Sequence, residues 1–311
     1  MKERKSSPGY DIIGDIHGYA DELCDLLARL GYHERNGIYQ HPERRVVFVG
    51  DFIDRGPKIR KTLQIVRAMV DAGSARAVMG NHEFNALCYD QKKAEGGFLR
   101  EHSAKNMQQH KATLDQFVGH DLEWRECLDW FLTLPLWIDE PGFRVIHACW
   151  SEPHRKALCA THLTRELLTP ASTRGTPEFE AVEALIKGIE FNLPAGSDWI
   201  DKDGHVRDST RVKWWQKAHG RTYREMTFPE IVEMPDHPVP DEEADKLMPY
   251  RALKPVFFGH YWMPESSPKE PVAPNLACVD FSVAKGGSLV AYRWDGESTL
   301  SPDKFTFVAA K

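Results

Sequence analysis

Residues 46–57 read VVFVGDFIDRGP. Val46 to Val49 are apolar and mostly β-branched, the character of a strand buried on both faces. The run breaks at Gly50 and delivers Asp51, Asp54 and Arg55. Charges are seldom carried to the end of a buried strand without partners, because burying an unpaired charge is costly. They have something to hold, and four other places in the chain fit the same description.

Those places follow the apolar runs Ile12-Ile13, Ala77 to Met79, Arg144 to Ile146, and Val256 to Phe258. The first ends in Gly14-Asp15-Ile16-His17-Gly18, the next in Gly80-Asn81-His82-Glu83, the next in His147, and the last in Gly259-His260. In all but the His147 run a glycine precedes the first polar residue, where it permits a sharp turn. Helical stripes separate the first three runs. Leu23, Leu26, Leu27 and Leu30 share one face and stop at Gly31; Ile59, Leu63, Val66 and Val70 share another, with Pro57 expected in the first turn. This alternation predicts an α/β fold with parallel strands and right-handed crossovers. In such sheets ligands collect beyond the carboxyl ends of the strands, where five loops can meet. Carboxylate, amide and imidazole without thiolate suit Mn, Fe, Zn or Co. Each motif alone is more often a turn or a cap; their common position argues for one site.

The 311 residues are 41% hydrophobic and 28% charged, an ordinary soluble globular profile. A net charge of -6 disfavours a duplex nucleic-acid partner. No run approaches the ~18 apolar residues of a membrane span, and the start, MKERKSSPGYDIIGD, lacks the apolar core of a secretory signal. The six cysteines are scattered without a CxxC pair, so a reduced, cytoplasmic protein is expected. The absence of a GxxxxGKS/T loop excludes P-loop chemistry. Residues 84–133 read as a helical insertion, with Asp121 as a cap, and LWIDEPGFRVIHA as a hairpin. Residues 151–254 read as an irregular, cap-like region, all within a single domain over 1–311.

GDIHG, GDFIDRG, GNHE, the His of VIHA and the GH of FFGHYW together resemble the calcineurin-like metallophosphoesterases. The likeness is strongest to the bacterial phosphoprotein-phosphatase branch, which includes the symmetrical diadenosine tetraphosphatases. PVFFGHYW, KGGSLVAYRWDG and DWFLTLPLWIDEPGFRVIHA are similar to stretches of those tetraphosphatases. The resemblance runs from Asp11 to Gly296 and is weakest between Ser151 and Lys254. It implies a β-sandwich of mixed sheets flanked by helices, with two divalent metals at strand C-terminal ends. Mn is the first expectation, with Fe, Zn, Co or Ni as alternatives. On this resemblance Asp15, His17 and Asp51 bind one metal, and Asp51 bridges to a second completed by Asn81, His147 and His260. A hydroxide held between the metals attacks a phosphate ester or anhydride in line. His82 protonates the leaving group, Asp54 orients His82, Arg55 grips the phosphate, and Arg211, preferred to Arg207, adds a second phosphate contact.

Two departures set the expected substrate. Asp54 and Glu83 match protein-phosphatase members, where the tetraphosphatases carry Ala and Asp. The fourth motif reads His147-Ala148-Cys149-Trp150 in place of His-Ala-Gly or His-Gly-Gly, so Trp150 is expected to shape the substrate entrance and Cys149 to pack. A phosphoprotein or phosphomonoester phosphatase is the expected function. A symmetrical bis(5'-nucleosyl)-tetraphosphatase is the alternative, since Trp214, Trp215 and Trp262 could stack a base, although packing is the commoner role. An inert metal-stabilised binding protein is a third reading, opposed by the presence of every ligand with His82 and Asp54. His102, His110, His120 and His219 read as surface residues. The expected partner is a phosphorylated substrate, with no membrane and no duplex nucleic acid.

Overall fold

Val46 to Val49 alternate between two environments, which explains why the run is apolar throughout. Val46 and Phe48 face a helical layer, while Val47 and Val49 face a second sheet. The computed structural model describes residues 9–200 and 204–311. The charged start that was read as lacking a secretory core lies, through residue 8, outside the described residues, as do residues 201–203 of the region expected to be irregular.

The main elements of the described residues open with β1 (Gly9–Ile13), α1 (Ala20–Arg29), β2 (Arg44–Phe48), α2 (Ile59–Asp71) and β3 (Ala75–Ala77), with a short hairpin of His33–Arg35 and Ile38–Gln40 between α1 and β2. Then come α3 (Asn81–Asp90), α4 (Ala104–Gln116), α5 (Asp121–Phe131), β4 (Trp137–Asp139) and β5 (Arg144–Ile146). After a long connection follow β6 (Val256–Phe258), β7 (Leu276–Cys278), β8 (Asp280–Phe281), β9 (Ser288–Trp294) and β10 (Phe305–Ala309). β1, β2 and β3 are parallel, pairing Ile12 with Val47 and Phe48 with Ala77. β9 lies antiparallel against β1 and also pairs with β8 and β10. In the other sheet β5, β6 and β7 are parallel, and β4 closes the expected hairpin with β5.

The two sheets pack face to face through Ile12, Val47, Val145, Phe257, Val279 and Tyr292, so the mixed sandwich expected from the resemblance is found. The predicted helical stripes are buried: Leu23, Leu26 and Leu27 of α1, and Ile59, Leu63 and Val66 of α2. The caps shift by a position or two. Pro57 precedes Lys58, the residue before α2, and Asp121 is the first residue of α5. The region expected to be irregular opens with three helices, Glu152–Leu158, Arg165–Ser172 and Pro177–Lys187. Their signals were in the sequence. Thr164 accepts from Leu167 N, and Thr176, followed by Pro177, accepts from Phe179 N.

Gly14 ends β1 where the other sheet approaches: a Cβ there would lie 2.0 Å from Val279 O. Gly14→Ala is expected to cost ~1–3 kcal/mol, the range for overpacking a tight core. Urea denaturation reads it, and an unchanged midpoint would contradict this packing.

Candidate metal centre

The five strand ends meet. Asp51 Oδ2 lies 3.7 Å from His17 Nε2, 3.4 Å from His147 Nε2 and 3.9 Å from His82 Nε2. Asn81 Oδ1 accepts from His260 Nδ1 at 2.7 Å and lies 3.1 Å from His147 Nε2. Asp15 accepts from the His260 backbone N–H at 3.1 Å. Two groups of ligand atoms overlap at Asp51: His17, Asp51 and His82, then Asp51, His147 and His260, each group within 4.8 Å.

The loops are bent hard to achieve this. His17, Asp51, Asp54, Arg55 and His260 all have positive φ, between 48° and 71°, a region that side-chain-bearing residues rarely adopt. Glycines allow the carboxylates to lie against the backbone. A Cβ on Gly80 would sit 2.2 Å from Asp51 Oδ1, and one on Gly259 would sit 2.0 Å from Asp15 Oδ1. Glu83 fastens the arrangement by accepting from the backbone N–H of Gly80, Asp51 and Phe52 at 3.0, 2.9 and 2.8 Å. Asp280, which the sequence reading passed over, accepts from Trp262 N and Ser282 N at 2.7 and 3.0 Å.

The residues fit divalent cations. His17 Nδ1 donates to Ile53 O at 2.9 Å, which leaves Nε2 as a lone pair. His17 Nε2 and His260 Nε2 are buried without a hydrogen-bond partner, an expensive condition that a cation relieves. Burial and neighbouring His82 push His17 down to about 3, and burial with Arg211 holds His260 well below its ordinary value, so both rings are neutral. Burial, then Asp280, raises Asp15 well above the usual carboxylate range. Burial would raise Asp51 too, but His147 and His82 hold it well below. Burial opposes charge on His147, yet Asp51 and Asp15 lift it to about 10; a bound cation takes that proton's place.

Beside this cluster His82 Nδ1 donates to Asp54 Oδ2 at 2.5 Å. The other oxygen of Asp54 accepts from His110 Nδ1 at 2.7 Å and from Thr113 Oγ1 at 2.6 Å. His110 was expected at the surface and is instead buried, 6% exposed. A signal existed: His110 and Thr113 on α4 recur at helical spacing with Phe117 just past its end, and all three are buried. Burial would raise Asp54, but His110 and His82 hold it well below its ordinary value. Burial would lower His82, but Asp51 and Asp54 raise it. Both shifts run toward a carboxylate beside a protonated ring, an arrangement suited to giving up a proton from Nε2.

The remaining site candidates divide. The Arg55 guanidinium carbon stands 4.0 Å from the centroid of the Trp262 ring, and Lys285 Nζ stands 5.5 Å from it. Arg211 Nη1 donates to His260 O at 3.1 Å, which places it at the cluster, whereas Arg207 lies on the exposed strand Val206–Arg207. Trp150 is a correction. It is 1% exposed, its Nε1 donates to Glu152, and Arg144 and Arg155 cover its ring, so it packs the interior and cannot shape an entrance. Trp214 and Trp215 are buried against Phe258. Of the four tryptophans considered, Trp262 alone is partly exposed. His219 is exposed, 3.1 Å from Asp245, and Cys149 is buried.

The family model for calcineurin-like phosphoesterases matches residues 10–261. Over 74 residues the chain is 47% identical to bis(5'-nucleosyl)-tetraphosphatase PrpE (asymmetrical) of Halalkalibacterium halodurans, covering 24% of this chain and 30% of that one. The chain thus spans less than a third of the length of that relative. Over 297 residues it is 27% identical to bis(5'-nucleosyl)-tetraphosphatase, symmetrical, of Vibrio parahaemolyticus, covering 94% and 97% of the two chains. In fold it is similar to a protein serine/threonine phosphatase from Saccharomyces cerevisiae, with a TM-score of 0.50 at 14% identity over 99% of this chain and 82% of that one.

Asp54→Asn is expected to lower stability near pH 6 by about 1–3 kcal/mol, because His82 and His110 lose a charged acceptor. The folded-state pKa of Asp54 is depressed, so its contribution is present above the unfolded value of ~3.9 and lost as pH falls through the folded value. The variant should therefore approach the wild type in acid. Urea midpoints from pH 3 to pH 7 read this, and a gap that stays constant into acid would refute the assignment of charge.

Proposed function

This chain belongs to the calcineurin-like phosphoesterase family, and on that premise we propose that it is a metal-dependent hydrolase of dinucleoside polyphosphates. The observation that carries the substrate class is Trp262, a partly exposed ring at the cluster's edge with Arg55 and Lys285 over it. An aromatic face suits a nucleobase, and two cations within reach of the same ring suit a chain of phosphates. Similarity to symmetrical tetraphosphatases over nearly the whole chain supports this reading. The phosphoprotein reading leaned on Asp54 and Glu83. Glu83 spends its carboxylate on three backbone N–H groups and so bears on loop shape, not on substrate.

In this proposal Asp15, His17 and Asp51 would hold one cation, and Asp51, Asn81, His147 and His260 would hold another, with Mn the expected metal. Two such cations supply Lewis acidity and a nucleophile at neutral pH. Arg55 and Arg211 draw the phosphate's free oxygens into place, and their planar forks resist its rotation. As the phosphorus–oxygen bond breaks, His82 passes its Nε2 proton to the leaving oxygen. Asp54 stabilises the charged ring beforehand and fixes its direction through Nδ1. His110 and Thr113 hold Asp54 in turn. We read the chain as one catalytic unit. The cysteines are all free, which fits a cytoplasmic setting, and no helix among the described residues is long and apolar enough to cross a membrane.

The test is a panel of diadenosine tetraphosphate, a phosphopeptide and p-nitrophenyl phosphate on chelated protein before and after Mn is restored. The dinucleotide should lead in kcat/KM and give two nucleoside diphosphates; preference for the phosphopeptide would overturn the proposal. Trp262→Ala should lose ~1–3 kcal/mol of transition-state binding on the dinucleotide and far less on p-nitrophenyl phosphate. Asp51→Asn should lose metal content, and chelation should lower the melting temperature of the wild type but not of that variant.

A further inference from the structure

Most half-buried arginines of this protein face a carboxylate. Arg44 meets Asp11, Arg60 meets Glu123, Arg144 meets Asp139 and Arg155 meets Glu152. Arg100 does not. Its Nη1 donates to Asn85 Oδ1 at 3.1 Å and its Nη2 to Gln109 Oε1 at 2.8 Å, both neutral amides. Among the described residues no carboxylate reaches it within ion-pair distance; Asp54 and Glu183 act on it only from farther away. A charge half withdrawn from water with only amides for company is costly, and a guanidinium so placed is suited to an external anion.

Its position says which anion. Arg100, Asn85, His82, Asp54 and His110 line one small cavity of about 20 Å³. That is room for one or two atoms the size of an oxygen and not for a ring. Both oxygens of Asp54 are occupied by His82, His110 and Thr113, so this wall presents Arg100 as its uncompensated charge. His82, the group assigned to protonate the leaving oxygen, lines this cavity as well.

We propose that Arg100 anchors a second phosphate carried by the leaving group, so that the site favours substrates whose departing half is itself phosphorylated. This rests on the phosphoesterase reading of the site. It adds that a nucleoside diphosphate leaves held at two points, by His82 at the severed oxygen and by Arg100 at the next phosphate. Serine, tyrosine and p-nitrophenol leaving groups offer nothing to Arg100.

The test compares wild type, Arg100→Ala and Arg100→Lys, each Mn-loaded and checked by melting. Diadenosine tetraphosphate and p-nitrophenyl phosphate serve as substrates, and ADP binding is measured directly by calorimetry. The loss in Arg100→Ala should be about tenfold or more greater on the dinucleotide than on p-nitrophenyl phosphate. ADP should bind correspondingly more weakly, and Arg100→Lys should recover part of both, keeping the charge without the fork. Equal losses on the two substrates, or unchanged ADP affinity in a variant that melts normally, would overturn the assignment and leave the phosphoesterase reading intact. A wild type that cleaves p-nitrophenyl phosphate but not the dinucleotide would sink the substrate proposal, and the ADP measurement would still decide the role of Arg100.

Discussion

The carboxylate of Glu83 accepts from three backbone N–H groups, one at the start of α3 and two just past β2. It is fully buried, and burial pushes it up to about 7 while those N–H groups favour its charged form. Its position is doubly favoured, since the N-terminus of a helix attracts negative charge. Through it the ends of two neighbouring strands are fixed to one point. Asp51 is thereby held at φ 55°, a conformation it would not keep alone, with Oδ1 accepting from His82 N. Asp51 sets the distances to His17, His147 and His82, so the whole cluster takes its geometry from a side chain that touches none of the chemistry.

Burial is the second constraint. Asp15, Asp51 and Asp280 lie close enough to raise or oppose one another's charge in an interior with little water. Such crowding is unstable unless cations share it. Asp280 turns its oxygens to the backbone of Trp262 and Ser282, and that choice shapes the rim on which Trp262 stands. The inner charge and the outer contact surface are thus linked through one side chain.

Much of this could be read before any coordinates. Strand ends announce themselves, because an apolar run, a glycine and a ligand-type residue occur in immediate succession. The sandwich itself was not readable from period alone: Val46 to Val49 look identical whether a helix or a sheet covers each face, and only the resemblance supplied the second sheet. His110 was missed because its partner, Asp54, is 56 residues away, and its spacing to Thr113 and Phe117 is the one local sign of burial on a largely polar helix. Trp150 and Trp262 are indistinguishable as letters. One is enclosed by Arg144 and Arg155 and the other stands at the rim, a difference made by tertiary packing.

β1 pairs with β2 on one side and with β9 on the other, and Asp15 just beyond it meets His260, 245 residues later. During synthesis β1 must therefore wait, one edge unpaired, until β9 has emerged. Until then the nascent chain carries an open strand edge and an unfinished set of buried carboxylates, the features that invite wrong pairing. A ribosome-bound fragment ending before residue 260 has no complete centre to load with metal. A metal at this centre would thus be captured only after His260 has emerged, and a chaperone that shields β1 would act in the interval before β9 pairs with it.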